Sequence, residues 1–267
     1  MTSDFSIEKA SPEELPVVLE ILDDAAEWLQ GRGIDQWPAS FSDDATWRIE
    51  RIRSYIEFGL TYLVRGKSGK SVATFTLSRA ADPQFMHGWP DGPDSGGYIF
   101  RMAVRRSAAG NDIGGVILDW AAREVARWGR AWLRIDVHRH NKQLQSYYER
   151  HGFTRVNEVT APDSSVPGRT RGSGTLMQRA TGGDAMATHD WDSDGAAALW
   201  LEASNVVRNL QLENPPVDEN SWNAALEQAS RVLERHALEI KQSNGMYYRP
   251  LTGRSHAPAE SEGVTQN

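Results

Sequence analysis

The sequence predicts an α/β (α+β) fold in its first two thirds and a helical hairpin after it. Strand-like runs alternate with amphipathic helices from Phe5 to Arg179. The strand pattern then stops at Thr181-Gly182-Gly183-Asp184, and two helical stripes follow. The charge changes at the same place. Residues 1–183 hold 23 acidic and 23 basic side chains, whereas 184–267 hold 13 acidic and 6 basic, the whole net charge of −7. The chain therefore divides into residues 1–182, a hairpin at 183–250 and a disordered tail at 251–267.

Phe5 to Lys9 reads as a first strand. Ser11-Pro12-Glu13-Glu14 opens a helix: Ser caps, Pro suits the first turn, and acids favour the positive helix end. Leu15, Val18, Leu19, Leu22, Ala26 and Leu29 continue it at helical spacing until Gly31-Arg32-Gly33. A loop, IDQWPASF, leads to a second helix from about Asp43 to Glu57. Leu60 to Arg65 and Val72 to Ser78 form a hairpin around Gly66-Lys67-Ser68-Gly69. Ala80 to Gly97, rich in Pro, Gly and Asp, is a long loop. Next come a strand YIFRMAV, a small-residue turn, a long amphipathic helix, a strand WLRIDVH and a short helix QLQSYYER. Phe153 to Val159 and Thr175 to Arg179 complete the strands, joined by PDSSVPGRTRGSG.

Composition narrows the function. Hydrophobic residues make up 39% and charged residues 24%, an ordinary globular balance, although the mean hydropathy of −0.55 implies polar loops or tails. No run of about 18 apolar residues suggests a membrane span. The N-terminus is acidic without an apolar signal core, so a cytoplasmic location is the expectation. The absence of cysteine excludes disulfides, thiolate metal sites and a cysteine nucleophile. Neither part has the basic excess of a nucleic-acid binder.

The stretch from Tyr98 to Phe153 carries most of the functional signal. Its order of strand, small-residue turn, helix, strand and short helix ending in Tyr148-x-x-x-Gly152-Phe153 resembles the acyl-CoA-binding half of the GNAT N-acetyltransferase family. The resemblance covers roughly residues 5–180. It implies a mixed, mostly antiparallel central sheet flanked by helices, with acetyl-CoA (coenzyme A) as cosubstrate. In this family the strand before the turn splays from the next one and pantetheine inserts between them. By resemblance, Met102, Ala103 and Val104 contribute backbone contacts. The turn holds the pyrophosphate at a helix N-terminus, where unpaired N–H groups and the dipole favour anions. The cofactor-binding set expected there is Arg105, Arg106, Gly110, Asn111, Asp112, Ile113, Gly114 and Gly115, with Asn141 and Tyr148 beyond the next strand. The family pattern for the turn is Gln/Arg-x-x-Gly-x-Gly/Ala. Aligned on Gly114, this chain has Ala109 at its first position and Asp112 at its first glycine, so only the last position matches.

The resemblance makes Tyr148 the catalytic acid, protonating the departing thiolate. A phenol, with an ordinary pKa near 10, still holds its proton at neutral pH. Tyr147 is expected to pack in the core. The base that deprotonates the amine has no decisive spacing, and Asp136, His138, His87 and Glu27 are candidates. His138 and His140 share a strand face, but two histidines do not make a metal site, and none is expected. Trp28, Trp37 and Phe41 are the expected substrate-binding residues, for aromatics on a polar loop suit a cation or a ring. They equally suit an anchor to the core.

The expected reaction is acetyl transfer to a primary amine, of a small molecule rather than a protein, by direct attack in a ternary complex. The alternatives are a non-catalytic acyl-CoA sensor with the C-terminal helices as output, and an interaction module with a relic cofactor fold. Ser193 and Ser221 are expected to cap the two C-terminal helices, with Trp191, Trp200 and Trp222 as expected anchors. That hairpin is too short to bury a large core alone. It is expected to pack on the first domain, on a second copy in a homodimer, or on another protein.

Overall fold

The computed structural model describes residues 5–34, 36–43, 46–162 and 168–182, with short pieces at 203–204, 226–227, 229–235 and 237–238. Most of the expected C-terminal hairpin and the whole tail lie outside the described residues.

A seven-stranded sheet organises the chain. In sequence order its strands are β1 (Phe5–Lys9), β2 (Thr61–Gly66), β3 (Ser71–Ser78), β4 (Gly96–Val104), β5 (Trp132–His138), β6 (Thr154–Glu158) and β7 (Ser173–Ala180). In space the order is β1-β2-β3-β4-β5-β7-β6. Every neighbouring pair is antiparallel except β4 and β5, which are parallel. A parallel pair needs a crossover, and the helix α3 (Ile113–Arg127) supplies it. The other helices are α1 (Leu15–Gln30), α2 (Thr46–Glu57) and α4 (Lys142–Arg150).

The two faces of the sheet carry separate cores. Ile113, Ile117, Leu118, Ala121 and Val125 of α3, with Tyr148 of α4, pack on Val64, Phe75, Leu77, Ile99, Ile135 and Val137. On the opposite face Val18, Leu19, Leu22 and Ala26 of α1, with Ile52 and Ile56 of α2, pack on Leu63 and Ala103. Each large apolar side chain so buried contributes on the order of 1.5–3 kcal/mol. The apolar spacing of α1 and α3 thus selects one sheet face for each helix.

A bulge in β4 reverses the alternation between these faces. Thr76 pairs with Phe100 and Thr74 with Ala103, so β4 spends one residue more than β3 over that step. Arg101 absorbs the difference at φ 48, in the left-handed region. As a result Ile99, Met102 and Val104 pack toward α3, while Ala103 packs toward α1. Strict alternation would have put Met102 and Val104 with Phe100 on the other face.

The long loop before β4 is held by a buried arginine. Arg134 of β5 has 0% exposure. It donates to Gly92 O (2.6 Å), Ser95 Oγ (2.9 Å), Asp91 Oδ1 (3.2 Å), Tyr98 Oη (3.1 Å) and Gln178 Oε1 (3.1 Å). Its guanidinium also lies 4.8 Å from the Trp89 ring centroid. A buried charge is tolerable only with such complete bonding.

Candidate functional site

The parallel pair β4–β5 holds together only at its start. Gly96 pairs with Trp132, Gly97 with Leu133 and Tyr98 with Arg134, and there the ladder ends. Beyond it β4 stays with β3 and β5 with β7. The two strands splay apart, and a cavity of about 960 Å³ reaches through the sheet at that point. It is lined from β4 by Ile99–Val104, from β5 by Ile135, Asp136 and His138, and from α4 by Tyr147 and Tyr148.

The turn between β4 and α3 forms one end. Arg106, Gly110, Asp112, Ile113 and Gly114 line the cavity. Gly110 has φ 90, and Asp112, the residue immediately before the helix, has φ 48 and ψ 32. Asp112 occupies the position of the family pattern's first glycine. It adopts the left-handed backbone that glycine takes without penalty. The turn therefore keeps a glycine's conformation without the glycine. The Asp112 carboxylate folds over Gly115, where a Cβ would meet it at 2.5 Å, and it lies 3.6 Å from His151 Nε2. A Cβ on Gly114 would lie 2.0 Å from the Tyr147 hydroxyl, so the glycine admits that tyrosine to the helix start.

Not every residue expected at the cofactor faces the cavity. Arg105 is turned away: Nη1 bonds Glu20 at 2.8 Å and Nε donates to Ser71 O at 3.0 Å. Its charge is committed to α1 and β3, which corrects the expectation that it meets phosphate. Asn111 donates to Ala108 O within the turn, and Gly115 lies beneath Asp112. Arg106 does reach the cavity, and its backbone N–H is held by Asp24 at 2.6 Å. Asn141 caps α4 through Leu144 N (3.0 Å) and donates to Gln36 Oε1 (3.3 Å), joining α4 to the loop between α1 and α2.

Trp28, Trp37 and Phe41 all line the cavity. Trp28 is stacked between the guanidiniums of Arg32 (4.4 Å) and Arg106 (4.5 Å), which places it beside the turn. Phe41 is buried in the α1–α2 core and meets Trp37 edge-on at 5.4 Å, so this pair also anchors its loop. The anchor continues in Asp23, whose carboxylate accepts from Phe41 N at 2.5 Å and from the Ser42 hydroxyl.

Both tyrosines line the cavity, and both pack against the α3 core. Tyr148 is the more buried, at 4% exposure, with its ring on Phe153 at 5.6 Å. Among the described residues no hydrogen bond ties its hydroxyl. Burial, with Tyr147 and Asp136 adding to it, pushes the Tyr148 phenol well above its ordinary value. Tyr147 is half-buried between Gly114 and His151, whose ring centroid is 4.5 Å away. Burial, then the charge of Asp112, pushes its phenol up to about 12.

Of the four candidate bases, Asp136 and His138 line the cavity, whereas His87 and Glu27 do not. Asp136 touches the cavity yet lies deep among protein atoms. Burial, and then the charge of Asp82, raises its carboxyl against the opposing pull of Arg171 and a hydrogen bond from Ser173. Its neighbour Asp82 behaves oppositely. Burial works against its charge, but Arg171 and Arg51 outweigh it and hold the carboxyl below the ordinary range. Arg171 Nη1 lies 2.7 Å from Asp82 Oδ2. This charged wall was missed from sequence, because its members come from separate elements. Among the described residues no group of three or more His, Asp or Glu could hold a metal. No described helix is long and apolar enough to cross a membrane.

Residues 22–153 match the family model described as Acetyltransferase (GNAT) family. This part of the chain is a GNAT-family domain. An uncharacterized N-acetyltransferase, YesJ of Bacillus subtilis (strain 168), is 26% identical over 141 residues, covering 53% of this chain and 77% of that protein. A GNAT-family acetyltransferase from Listeria monocytogenes 4b F2365 superposes with a TM-score of 0.51 at 20% identity, over 66% of this chain and 94% of its own. A GNAT-family acetyltransferase from Streptococcus agalactiae 2603 gives 0.51 at 16% identity, over 67% and 96%. Both structural likenesses show the GNAT fold, and the family places this chain among the acyltransferases.

Proposed function

We propose that the chain moves an acetyl group from acetyl-CoA to a primary amine of a small molecule, by direct attack in a ternary complex. One observation carries the reading. A single cavity runs through the β4–β5 splay, with Tyr148 on the α3–α4 side and Asp136 on the α1–α2 side. An acyl donor and an amine approaching from opposite faces would meet there.

The residues present fit the donor. The backbone of Met102, Ala103 and Val104 borders the splay, where among the described residues no strand pairs with β4 on its β5 side and a strand-like arm would find ladder groups. Gly110, Ile113 and Gly114 with Arg106 would hold the pyrophosphate. Acetyl-CoA supplies an acetyl group activated as a thioester.

Asp136 is the base in this reading. It takes the proton that the acceptor nitrogen loses as the C–N bond forms and the C–S bond breaks. A carboxyl raised by burial is better matched to that task near neutral pH than an ordinary one. Tyr148 meets the departing sulfur as a neutral phenol. An alkyl thiol ionises near 8.5, so full transfer from so weak an acid runs uphill. Its main contribution is therefore a hydrogen bond to developing thiolate charge, with transfer completed as the sulfur leaves. After release Tyr148 regains a proton and Asp136 loses one by exchange with solvent.

Free thiol released from acetyl-CoA across a panel of primary amines tests the reaction. Tyr148→Phe should lower kcat by about 10²-fold while coenzyme A binds as before. A Tyr148→Phe enzyme with full turnover would reduce this tyrosine to a core aromatic. The domain division at residue 183 belongs to the same proposal, with the C-terminal segment as an accessory part.

A further inference from the structure

Asp136, Asp82 and Arg171 come from separate parts of the chain and meet on the cavity wall. Asp136 stands on β5, Asp82 follows β3 in the long loop, and Arg171 precedes β7. Both carboxyls feel the attraction of Arg171, and the geometry gives that guanidinium to Asp82. Arg171 Nη1 lies 2.7 Å from Asp82 Oδ2 and donates to Gln84 Oε1 at 2.9 Å, and the guanidinium lies 4.7 Å from the Phe85 ring centroid. Asp82 Oδ1 in turn accepts from Gln84 N at 3.0 Å, which fixes its carboxylate at the start of the loop. Asp136 receives a hydrogen bond from Ser173 instead.

A bulge in β7 builds this arrangement. Val137 pairs with Thr175 and His138 with Ser173, so β7 spends one residue more than β5 over that step. The extra residue is Gly174, at φ 137, and a Cβ there would meet the Val159 carbonyl oxygen at 2.0 Å. Strict alternation would turn Ser173 to the face of Thr175 and Val137, toward α3. With the bulge Ser173 shares the face of His138 and Asp136. Backbone bonds then hold Arg171 in place. Its N–H donates to Ala161 O at 2.9 Å, and its carbonyl accepts from Arg139 Nη2 at 2.8 Å.

We propose that Asp82 and Arg171 are a positioning pair for Asp136: Asp82 keeps the guanidinium on itself, and Asp136 is thereby left able to take the acceptor's proton. This rests on the reading of Asp136 as the base. Neither member of the pair touches the reacting atoms. An arginine given wholly to Asp136 would stabilise its carboxylate and make it a weaker base. Burial raises the Asp136 carboxyl most, Arg171 opposes it and Asp82 adds to it, so the two members act on Asp136 with opposite sign. The other charged or titratable groups lining the cavity around them are Arg48 and Arg51 of α2, Arg101 of β4, His138 of β5, Tyr148 of α4 and Arg169. Arg51 also attracts Asp82, which keeps that carboxyl charged beside the pair.

The two members should give effects of opposite sign, which a merely structural salt bridge would not. The carbon-13 signal of the Asp136 carboxyl, identified by its loss in Asp136→Asn, reports the titration directly on the full chain. Asp82→Asn should move that titration to lower pH, because it removes a like charge and releases Arg171 to Asp136. Arg171→Gln should move it to higher pH, and Arg171→Lys, which keeps the charge, should restore most of the wild-type position. The pH dependence of kcat/KM should follow, since the base acts in its deprotonated form. The ratio of variant to wild type at each pH cancels the acceptor's own ionisation. On the acid limb that ratio, relative to its plateau, should rise roughly 3-fold to 10-fold in Asp82→Asn and fall by a similar factor in Arg171→Gln. The double variant Asp82→Asn/Arg171→Gln replaces the ion pair by neutral amides. It should titrate between the two single variants, so it keeps the comparison with whichever of them folds. An unmoved titration, or shifts of the same sign in both single variants, would overturn the proposal. Opposite shifts in an enzyme whose Asp136→Asn form keeps full turnover would uphold the pair and remove the base reading. Loss of turnover in Asp136→Asn with an unmoved titration would do the reverse.

Discussion

Replacing Asp112 with glycine isolates the turn that is assigned to the pyrophosphate. Asp112 sits at φ 48, where a residue with a side chain bears roughly 1–2 kcal/mol relative to glycine. Asp112→Gly relieves that strain. It also removes a carboxylate near the N-terminus of α3, which forfeits about 0.3–1 kcal/mol of favourable dipole interaction. The His151 contact is 3.6 Å long and the Asp112 side chain is 70% exposed, so its loss adds little. These terms nearly cancel, and the folding stability should change by less than about 1 kcal/mol. Binding should change more. Two unit charges about 4 Å apart in a water-like medium interact by about 1 kcal/mol. A pyrophosphate with two charges, held slightly further away, should lose about 1–2 kcal/mol of repulsion, near a tenfold gain in affinity. Calorimetry with coenzyme A at low salt measures the gain, and raising salt toward 1 M should shrink it, since screening then acts within about 3 Å. A folded Asp112→Gly protein that binds coenzyme A no more tightly, or more weakly, would refute the placement of the pyrophosphate at this turn.

Two further predictions concern the acceptor side. Asp136→Asn should lower kcat/KM by about 10²-fold or more, and it should abolish the acidic limb of the pH profile, which in the wild type lies above the ordinary carboxylate range. Folding disfavours ionisation of Asp136, so wild-type stability falls relative to Asp136→Asn as pH rises from the unfolded value near 3.9 through the raised folded value, then holds steady. Thermal melts at pH 4 and pH 8 would show the gap widening, and a constant gap would contradict the raised carboxyl. A chain ending at Gly183 should still bind coenzyme A, because the turn and splay lie within residues 96–138. It should bind the acceptor less well. Ala237 is fully buried against Tyr55 and Phe58, and Glu234 accepts from Ser54 at 2.8 Å, so the cut uncovers the helix that carries Arg48 and Arg51. Loss of coenzyme A binding in a folded truncated chain would place the C-terminal segment in the cofactor site.

Local chemistry made much of this protein legible in one dimension. The apolar period of α1 and α3, the hairpin glycines between β2 and β3, and the Ser11-Pro12-Glu13-Glu14 entry to α1 act over a few residues, so the sequence states them directly. The order of elements from Tyr98 to Phe153 likewise announced the turn and Tyr148. Non-local features needed the tertiary structure. The extra residue at Arg101 is defined only against β3, because a bulge is a mismatch between two strands. Arg105 and Arg106 are adjacent and chemically identical, yet Glu20 and Ser71 claim the first while the cavity keeps the second. Arg134 reads as an ordinary strand arginine until the loop of Asp91, Gly92 and Ser95 closes over it. The charged wall of Arg51, Asp82, Asp136 and Arg171 draws on separate elements spread over residues 51–171. Periodicity and turn chemistry reach only a few residues, whereas electrostatic character belongs to whichever side chains the fold brings within a few ångströms. The sequence by itself determined the elements between Phe5 and Ala180 and their order. The sheet's splay and its bulge decided which side chains meet in the cavity.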